Sequence, residues 1–265
     1  MPTTVLFIRI ETAPAEQIGV GSRPTRIRAE LRNGVPTLTL LDRGEFLAAR
    51  PVHSTGAALR VALIGVRMML LGGDAVRLEV TLGPGISLEL VEPAGLVAYD
   101  ADGEGSSWTL SACLGPGSAL VYHGAPFVVS AGANVDRRTE IELAPAARLL
   151  LRETLVAGRA EDAGGGLRMR NRVWDATGEF LVEDLHIRAD PFGQAISEAA
   201  VLGSSKVIDS VLAAGFRPGV SAPPQRGIFI LEREGCLFRS LADGAAEAAV
   251  VVEPVFEQWR EQLLG

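Results

Sequence analysis

Apolar and polar residues alternate in three segments in the middle of the chain, and each segment runs into a proline flanked by small residues. The motif reads Leu-Gly-Pro-Gly at 82–85 and 114–117, and Leu-Ala-Pro-Ala at 143–146. Short alternating segments are typical of half-buried strands. Proline interrupts such a strand because it fixes φ and has no N–H for the ladder. The segments before the motifs are 76–82, 108–114 and 139–143, and apolar-rich segments follow them at 86–91, 119–122 and 148–155.

Each copy therefore predicts a strand, a tight turn and a second strand, and the copies return at a regular distance. The leading residues Leu82, Leu114 and Leu143 are about 30 residues apart, within the roughly 20–50-residue period of stacked structural repeats. Stacked units bury together the apolar faces that no unit buries alone. The pattern predicts a mainly β protein with an elongated, stacked or helical β-sheet architecture and few helices. Three unrelated hairpins in an ordinary sandwich are the alternative.

Turn signals outside the repeats predict further β structure. Asn33-Gly34 is a favoured two-residue hairpin turn. In Gly72-Gly73-Asp74 the glycines permit positive φ and the carboxylate closes the turn. Two more hairpins are predicted, one around 175–178 and one around 234–235. Residues 195–214 fit either a helix or two strands.

The apolar period becomes helical at the C-terminus. A helix is predicted at about 254–264, with Pro254 in its first turn, where the missing N–H has no consequence. The side chains that fall on one face are those of Val255, Phe256, Trp259 and Leu263. Such a face usually packs on its own domain; left uncovered, it is a surface for a partner. We expect residues 1–265 to form one domain that ends in this helix.

Composition narrows the class of protein. Hydrophobic residues make up 48% of the chain but aromatic residues only 5%, so the core is expected to consist of Val, Leu, Ile and Ala. A net charge of −7 argues against nucleic acid or an anionic membrane as the main partner. Cys113 and Cys236 have no zinc-site spacing, and sparse cysteine suits a reducing compartment. With no signal peptide evident and the apolar stretch 59–71 interrupted by arginines, we expect a cytoplasmic protein.

No set of residues in the sequence forms a recognisable catalytic motif. His123 and His186 are isolated, and an isolated strand histidine is more often structural than catalytic. The chain has no Gly-x-Ser-x-Gly, phosphate-loop or His-Glu-x-x-His motif. Residues 83–85 are a poor phosphate loop because the proline lacks an N–H. The protein is therefore not expected to be an enzyme.

Leu71-Gly-Gly-Asp74 is the first of several ordered motifs through which the chain, from about residue 60 to its end, resembles the urease accessory protein UreD family, also called UreH. The ordered motifs that carry the resemblance are the strand 76–82, Gly-Pro-Gly at 115–117, His-Gly-Ala-Pro-Phe at 123–127, Glu-Thr-Leu-Val-Ala-Gly-Arg at 153–159 and Trp-Arg-Glu-Gln-Leu-Leu-Gly at 259–265. Three segments depart from the family pattern: 90–99, 163–166 and Gln262.

The resemblance implies a non-enzymatic maturation factor that binds apo-urease. With UreF- and UreG-type partners, such a protein helps deliver nickel to the urease active site, without a tightly bound cofactor of its own but with nickel in transit. An internal route for nickel would need inward-facing polar side chains, and the candidate donors are Asp74, Glu89, Glu92, Glu142 and Glu153. Candidate partner contacts are Glu153, Arg159, Phe256 and Trp259, although a structural role for Arg159 and Trp259 is equally compatible with the sequence.

Two other functions are compatible with parts of the sequence. A β-solenoid polysaccharide hydrolase would use carboxylates on stacked strands; alignment of the repeats brings Glu92 and Glu153 into one row, two strand spacings or roughly 9–10 Å apart, with Gly124 between them. A stand-alone nickel carrier would need several convergent imidazoles or thiolates. Because the three histidines and two cysteines are scattered, we expect at most weak, carboxylate-rich binding.

Overall fold

Two stacked β-sheets and one C-terminal helix make up the part of the chain that the structure describes. The structure is a computed structural model that describes residues 22–54, 56–159, 162–189, 202–219 and 227–265. The first strands are β1 (Thr25–Arg32), β2 (Val35–Asp42), β3 (Leu47–Pro51), β4 (Leu59–Gly65), β5 (Ala75–Leu82), β6 (Ser87–Val91), β7 (Leu96–Ala98), β8 (Ser106–Leu114) and β9 (Ala119–His123). The others are β10 (Phe127–Val129), β11 (Asn134–Leu143), β12 (Arg148–Ala157), β13 (Gly166–Asp175), β14 (Gly178–Ile187), β15 (Val207–Ala214), β16 (Ile228–Ile230) and β17 (Gly235–Ala242), followed by α1 (Ala245–Leu264).

The three repeats stack in register across both sheets, which confirms the predicted architecture. The seven-stranded sheet has the order β14-β13-β11-β8-β5-β1-β2, and the ten-stranded sheet has the main order β16-β17-β15-β12-β9-β6-β4-β3. Parallel pairing places Leu82 beside Leu114, and Leu114 beside Leu143. The two strands of each copy lie in different sheets and pair with the other copies. The alternative of unrelated hairpins is therefore wrong.

The Pro-containing motifs are the corners at which the chain passes from one sheet to the other. Residues after the prolines take left-handed backbone angles: φ is +68° at Gly85, +64° at Gly117 and +60° at Ala146. Neighbouring corners are hydrogen-bonded, since Gly85 N–H donates to the Pro116 carbonyl at 2.9 Å and Gly117 N–H to the Pro145 carbonyl at 3.0 Å. The corners thus continue the stacking of the strands that they connect.

Most of the apolar core lies between the two sheets. Alternate residues of β12 show the division: Leu149 and Leu151 belong to the inter-sheet core, whereas Leu150 lies on the opposite face, under α1. Because β12 is buried on both faces, its sequence is almost continuously apolar. The expected core of Val, Leu, Ile and Ala is confirmed, apart from a few aromatic side chains such as Trp108.

Antiparallel hairpins flank the repeats as the turn signals predicted. They are β1–β2, with Asn33 and Gly34 at positive φ, β13–β14 and β16–β17. Within the segment 195–214, whose structure was left open between a helix and two strands, residues 207–214 form strand β15. Residues 195–201 of that segment lie outside the described residues, as do 220–226.

Helix α1 begins at Ala245, earlier than the predicted start at about 254. Pro254 therefore lies inside the helix and not in its first turn, which corrects the prediction. Its missing N–H leaves the Val250 carbonyl without the usual partner. Val250 is 76% exposed, so water can reach this part of the helix. Of the predicted apolar face, Phe256, Trp259 and Leu263 are buried against the ten-stranded sheet and Val255 is partly buried there. Val252, which was not predicted, also packs on the sheet.

Candidate functional site

Polar side chains occupy core-facing positions in the middle of the inter-sheet core. On β12, Glu153 continues the inward series of Leu149 and Leu151, because residues two apart point to the same face of a strand. The Glu153 side chain is only 10% exposed. Its Oε1 accepts a hydrogen bond from Arg137 Nη2 at 2.8 Å, and its Oε2 accepts one from Asn171 Nδ2 at 3.0 Å. Glu153 is therefore bound to both β11 and β13 of the opposite sheet.

Arg137 is a buried cation at the centre of this polar group. Its guanidinium carbon lies 4.0 Å from the Trp108 ring centroid and 4.6 Å from that of Phe127, within the range of cation–π attraction. Burial is the largest single effect and lowers the pKa of Arg137, but the charge and hydrogen bond of Glu153, together with Tyr122 and Glu92, outweigh it, so the pKa is raised. Arg137 remains charged inside the core because aromatic rings and a carboxylate surround it.

Glu92 and Tyr122 extend the polar group towards the side of β6. The Tyr122 hydroxyl donates to Glu92 Oε1 at 2.6 Å, and the Ala125 N–H donates to Glu92 Oε2 at 3.0 Å. Desolvation raises the pKa of Glu92, although both hydrogen bonds and Arg137 oppose the shift. Desolvation and then the Glu92 charge raise the pKa of Tyr122. The proton that these two groups share is thus held more tightly than in water.

The polar group continues in the other direction to β14 and β17. Asn171 lies within 3.4 Å of Glu183 Oε2, and Arg239 Nη1 pairs with Glu183 Oε1 at 2.7 Å. These side chains line a cavity of about 20 Å³ together with Ser210. Asn171 is 5% exposed, and its Oδ1 has no hydrogen-bond partner among the described residues.

We call this arrangement the polar row and define it as Glu92, Tyr122, Arg137, Glu153, Asn171, Glu183 and Arg239. It crosses the strands of both sheets inside the core. At one end Glu92 lines a second cavity, of about 280 Å³, with Leu47 and Gly65. At the other end Glu183 and Arg239 are 17% and 24% exposed. The row therefore connects two partly solvent-accessible places through the interior.

Three of the five candidates for a nickel route lie elsewhere. Glu89 faces α1, where Arg260 Nη2 approaches its Oε1 to 2.5 Å. Glu142 is exposed on the outer face of the seven-stranded sheet. Asp74 Oδ2 accepts a hydrogen bond from Leu71 N–H at 3.0 Å and closes the predicted turn. These three side chains do not lie between the two sheets, whereas those of Glu92 and Glu153 do. A nickel route along Glu92 and Glu153 stays a prediction.

A second charged cluster fixes helix α1 to the ten-stranded sheet. Arg152 donates to both carboxylate oxygens of Asp209, at 3.2 and 2.9 Å, and also pairs with Glu253 of α1. Asp209 is fully buried. His123 Nε2 lies 3.3 Å from Arg152 Nη1 and its ring lies 4.7 Å from that of Phe256. Burial, and then the Arg152 charge, lower the pKa of His123.

The candidate partner contacts divide by exposure. Phe256 and Trp259 of α1 are 1% and 0% exposed and pack between the helix and the ten-stranded sheet, and Glu153 lies inside the core. These three side chains are thus buried in the protein, and partner contact through them stays a prediction. Arg159 is exposed, stacks 5.3 Å from the Tyr99 ring centroid, and lines a surface cavity of about 600 Å³ with Lys206.

Several members of the polar row were not predicted from the sequence, although the alternation of apolar and polar residues in β11 and β13 could have indicated them. Arg137 and Thr139 stand at inward positions of β11, in step with Leu143, and Asn171 stands in step with Met169 on β13. A charged or amide residue at a core-facing position requires a partner. The neighbouring Arg168, Arg170 and Arg172 of β13 instead face outward, and they pair with Asp184, Asp136 and Glu179.

The structure bears on both alternative functions, the polysaccharide hydrolase and the stand-alone nickel carrier. The register places Glu92, Gly124 and Glu153 in one row, since Val91 pairs with His123 and His123 with Arg152. Glu153, however, is enclosed between the sheets and ion-paired, where a polysaccharide has no access. Among the described residues no group of three or more His, Cys, Asp and Glu side chains could hold a metal ion. Weak metal binding stays a prediction.

The fold and the polar row define a class of protein: a stacked two-sheet β protein whose polar side chains lie inside the core. Helix α1 is not long and apolar enough to cross a membrane, and no other helix occurs in the described part of the chain. Comparisons with known proteins give the family. Residues 26–265 match the family described as UreD urease accessory protein.

Similar proteins agree with that match. Urease accessory protein UreD 1 of Streptomyces griseus subsp. griseus is 40% identical over 251 residues, which cover 94% of this chain and 96% of that protein. Urease accessory protein UreD of Frankia casuarinae is 31% identical over 259 residues, covering 90% and 78%. The chain belongs to the UreD family of urease accessory proteins. The resemblance seen in the ordered motifs is confirmed.

Proposed function

We propose that this protein binds the urease apoenzyme and, together with UreF- and UreG-type partners, assists nickel delivery, with the polar row as the internal route of the ion. The observation that carries the proposal is a row of carboxylate, amide and hydroxyl groups through an otherwise apolar core, in a chain of the UreD family. Buried polar groups in such numbers are unfavourable unless they are paired. Their alignment between two partly accessible ends supports a role in transport.

The chemistry of the row suits transit. Carboxylate and amide oxygens bind divalent ions, but a borderline metal such as nickel is held more tightly by several imidazole or thiolate ligands. Oxygen groups from Glu92, Glu153, Asn171 and Glu183 would therefore give a moving ion successive weak contacts. We propose no enzymatic activity of the chain, a cytoplasmic location, and no nucleic acid or membrane partner.

Contacts with the partners are proposed at Arg159. Its guanidinium is exposed beside Lys206, and this pair of cations on a chain with a net charge of −7 gives one surface that would attract acidic side chains. Phe256 and Trp259 would contribute indirectly, by holding α1 on the sheet. The charge-reversing substitution Arg159→Glu should weaken co-purification with urease or with the UreF-type partner. Arg32→Glu, at another exposed arginine, is the matched control.

The central experiment replaces the chain in a urease-positive host. Deletion should abolish nickel-loaded urease while the urease polypeptides stay at normal levels, and the wild-type chain should restore it. Glu153→Gln should restore markedly less urease nickel, because it removes the central carboxylate of the row. Glu142→Gln is the matched control, since its side chain is on the outer face.

Complex formation separates the two parts of the proposal. If Glu153→Gln still co-purifies with urease and the UreF-type partner, its defect lies in transit and not in docking. Undiminished urease activity in a deletion strain that has no second copy of this protein would refute the proposed function. Full activity with Glu153→Gln would exclude the polar row as the route.

A further inference from the structure

The polar row already contains a cation at its centre. The Arg137 guanidinium is 5% exposed and lies between the Trp108 and Phe127 rings. Its nearest anion is the Glu153 carboxylate, at 2.8 Å, and the Glu92 charge also stabilises it. The oxygen groups directed to the middle of the core are thus arranged around an arginine side chain.

This cation and a divalent ion would compete for the same oxygen atoms. A carboxylate in a bidentate or charge-assisted hydrogen bond with arginine has fewer lone pairs for a metal. A like charge a few ångströms away also disfavours the entering ion strongly where little water screens it. Arg137 therefore opposes metal binding in two ways, by occupying Glu153 and by its positive charge.

We propose that Arg137 is a built-in counter-cation that keeps the polar row closed to divalent metal ions in the isolated protein. The masked site would centre on the Glu153 carboxylate, with Asn171 Oδ1, which has no hydrogen-bond partner among the described residues, as a further oxygen donor. Glu92, two strands away in the same row, would add a second negative charge. The ion enters only when the Arg137–Glu153 pair is broken. This inference rests on the proposed function in giving the row a metal ion to exclude, but its test uses the isolated chain alone.

Arginine stacked between two rings is held firmly, and this distinguishes the arrangement from an ordinary core ion pair. Glu153 has a second contact, to Asn171, that remains when Arg137 is removed. Loss of the guanidinium would therefore leave an oriented, negatively charged carboxylate in a largely buried position. Such a group either takes up a proton or binds a cation.

The test is nickel(II) chloride titrated into the purified full chain by isothermal calorimetry, with four proteins compared. The wild type and Arg137→Lys, which keeps a positive charge, should bind nickel only weakly. Arg137→Gln should bind roughly tenfold more tightly or better, because a removed like charge shifts ionic equilibria by one or more powers of ten at this range. In the double variant Arg137→Gln/Glu153→Gln this gain in nickel affinity should disappear.

Three results would overturn the proposal. The first is a folded Arg137→Gln protein with the wild-type affinity for nickel, and the second is an equal gain in nickel affinity in Arg137→Lys. The third is a gain in nickel affinity that persists in the double variant. If Arg137→Gln does not fold alone, nickel should restore its cooperative thermal unfolding, since a ligand specific for the native state stabilises it. Failure of nickel to do so would also refute the proposal. Because urease activation is not measured, a masked site can be confirmed even if the polar row proves not to be the route.

Discussion

The third corner of the stack contains backbone strain that the other two avoid. Gly85, Gly117 and Ala146 occupy the same position after the proline, all with φ between +60° and +68°. An L-residue in the left-handed region is disfavoured by about 1–2 kcal/mol, whereas glycine is not. Glycine, however, lowers stability by about 0.4–1 kcal/mol through the greater freedom of the unfolded chain. Ala146→Gly should therefore raise the free energy of unfolding by about 0.5–1 kcal/mol.

Packing does not complicate this estimate. Ala146 is exposed, so little buried methyl surface is lost. The reverse substitution, Gly117→Ala, is the matched control: a Cβ at Gly117 would meet no atom within 4 Å, so only the backbone angle matters. Gly117→Ala should lower the free energy of unfolding by an amount similar to the gain from Ala146→Gly.

Urea unfolding followed by circular dichroism measures both changes, with m-values checked for equality. A less stable Ala146→Gly protein, or a neutral Gly117→Ala, would show that the corners do not carry this strain.

Two further predictions concern the cluster under α1. Asp209→Ala should lower the free energy of unfolding by about 3 kcal/mol, near the lower end of the range for breaking a buried ion pair, because Arg152 keeps its contact with Glu253; urea unfolding measures the loss, and a change below about 1 kcal/mol would mean that water reaches the pair. The lowered pKa of His123 means that the folded protein binds this proton less well than the unfolded chain. The stability linked to it is present above the ordinary pKa of about 6.5 and is lost as the pH falls through the lowered value. His123→Gln should therefore lose less stability than the wild type between about pH 7.5 and about pH 5.5, and parallel losses in the two proteins would contradict this reasoning.

The stacked fold was predictable because each level of the sequence pointed to it. Alternation placed Leu82, Leu114 and Leu143 on one face, proline placed the turns, and the common period implied parallel neighbours. What could not be read was the sheet to which each strand belongs, since a turn of small residues and proline fits a hairpin as well as a corner. The start of α1 was also missed, because alanine-rich residues 245–250 show little apolar period.

The candidate site was predictable only in part, for a physical reason. A carboxylate on a strand faces inward or outward according to its position relative to the apolar residues of the same strand. Glu153 lies two positions after the inward-facing Leu151 and therefore also faces inward. Glu142 lies directly before the inward-facing Leu143 and therefore faces outward. Contacts between side chains from distant segments could not be predicted from the sequence. Arg137, Asn171 and Glu153 are in contact only because the two sheets stack.

The register between copies has a consequence for how such a chain can change in evolution. One residue inserted within β11 or β12 would turn every later side chain of that strand to the opposite face, sending Arg137 or Glu153 out of the core. Residues inserted at the exposed positions 102–104, between β7 and β8, would only lengthen a surface loop. Length variation is therefore expected in the loops, and strand lengths next to the polar row should stay constant. A whole strand–corner–strand copy is the smallest unit that could be gained or lost without disturbing the alignment of its neighbours.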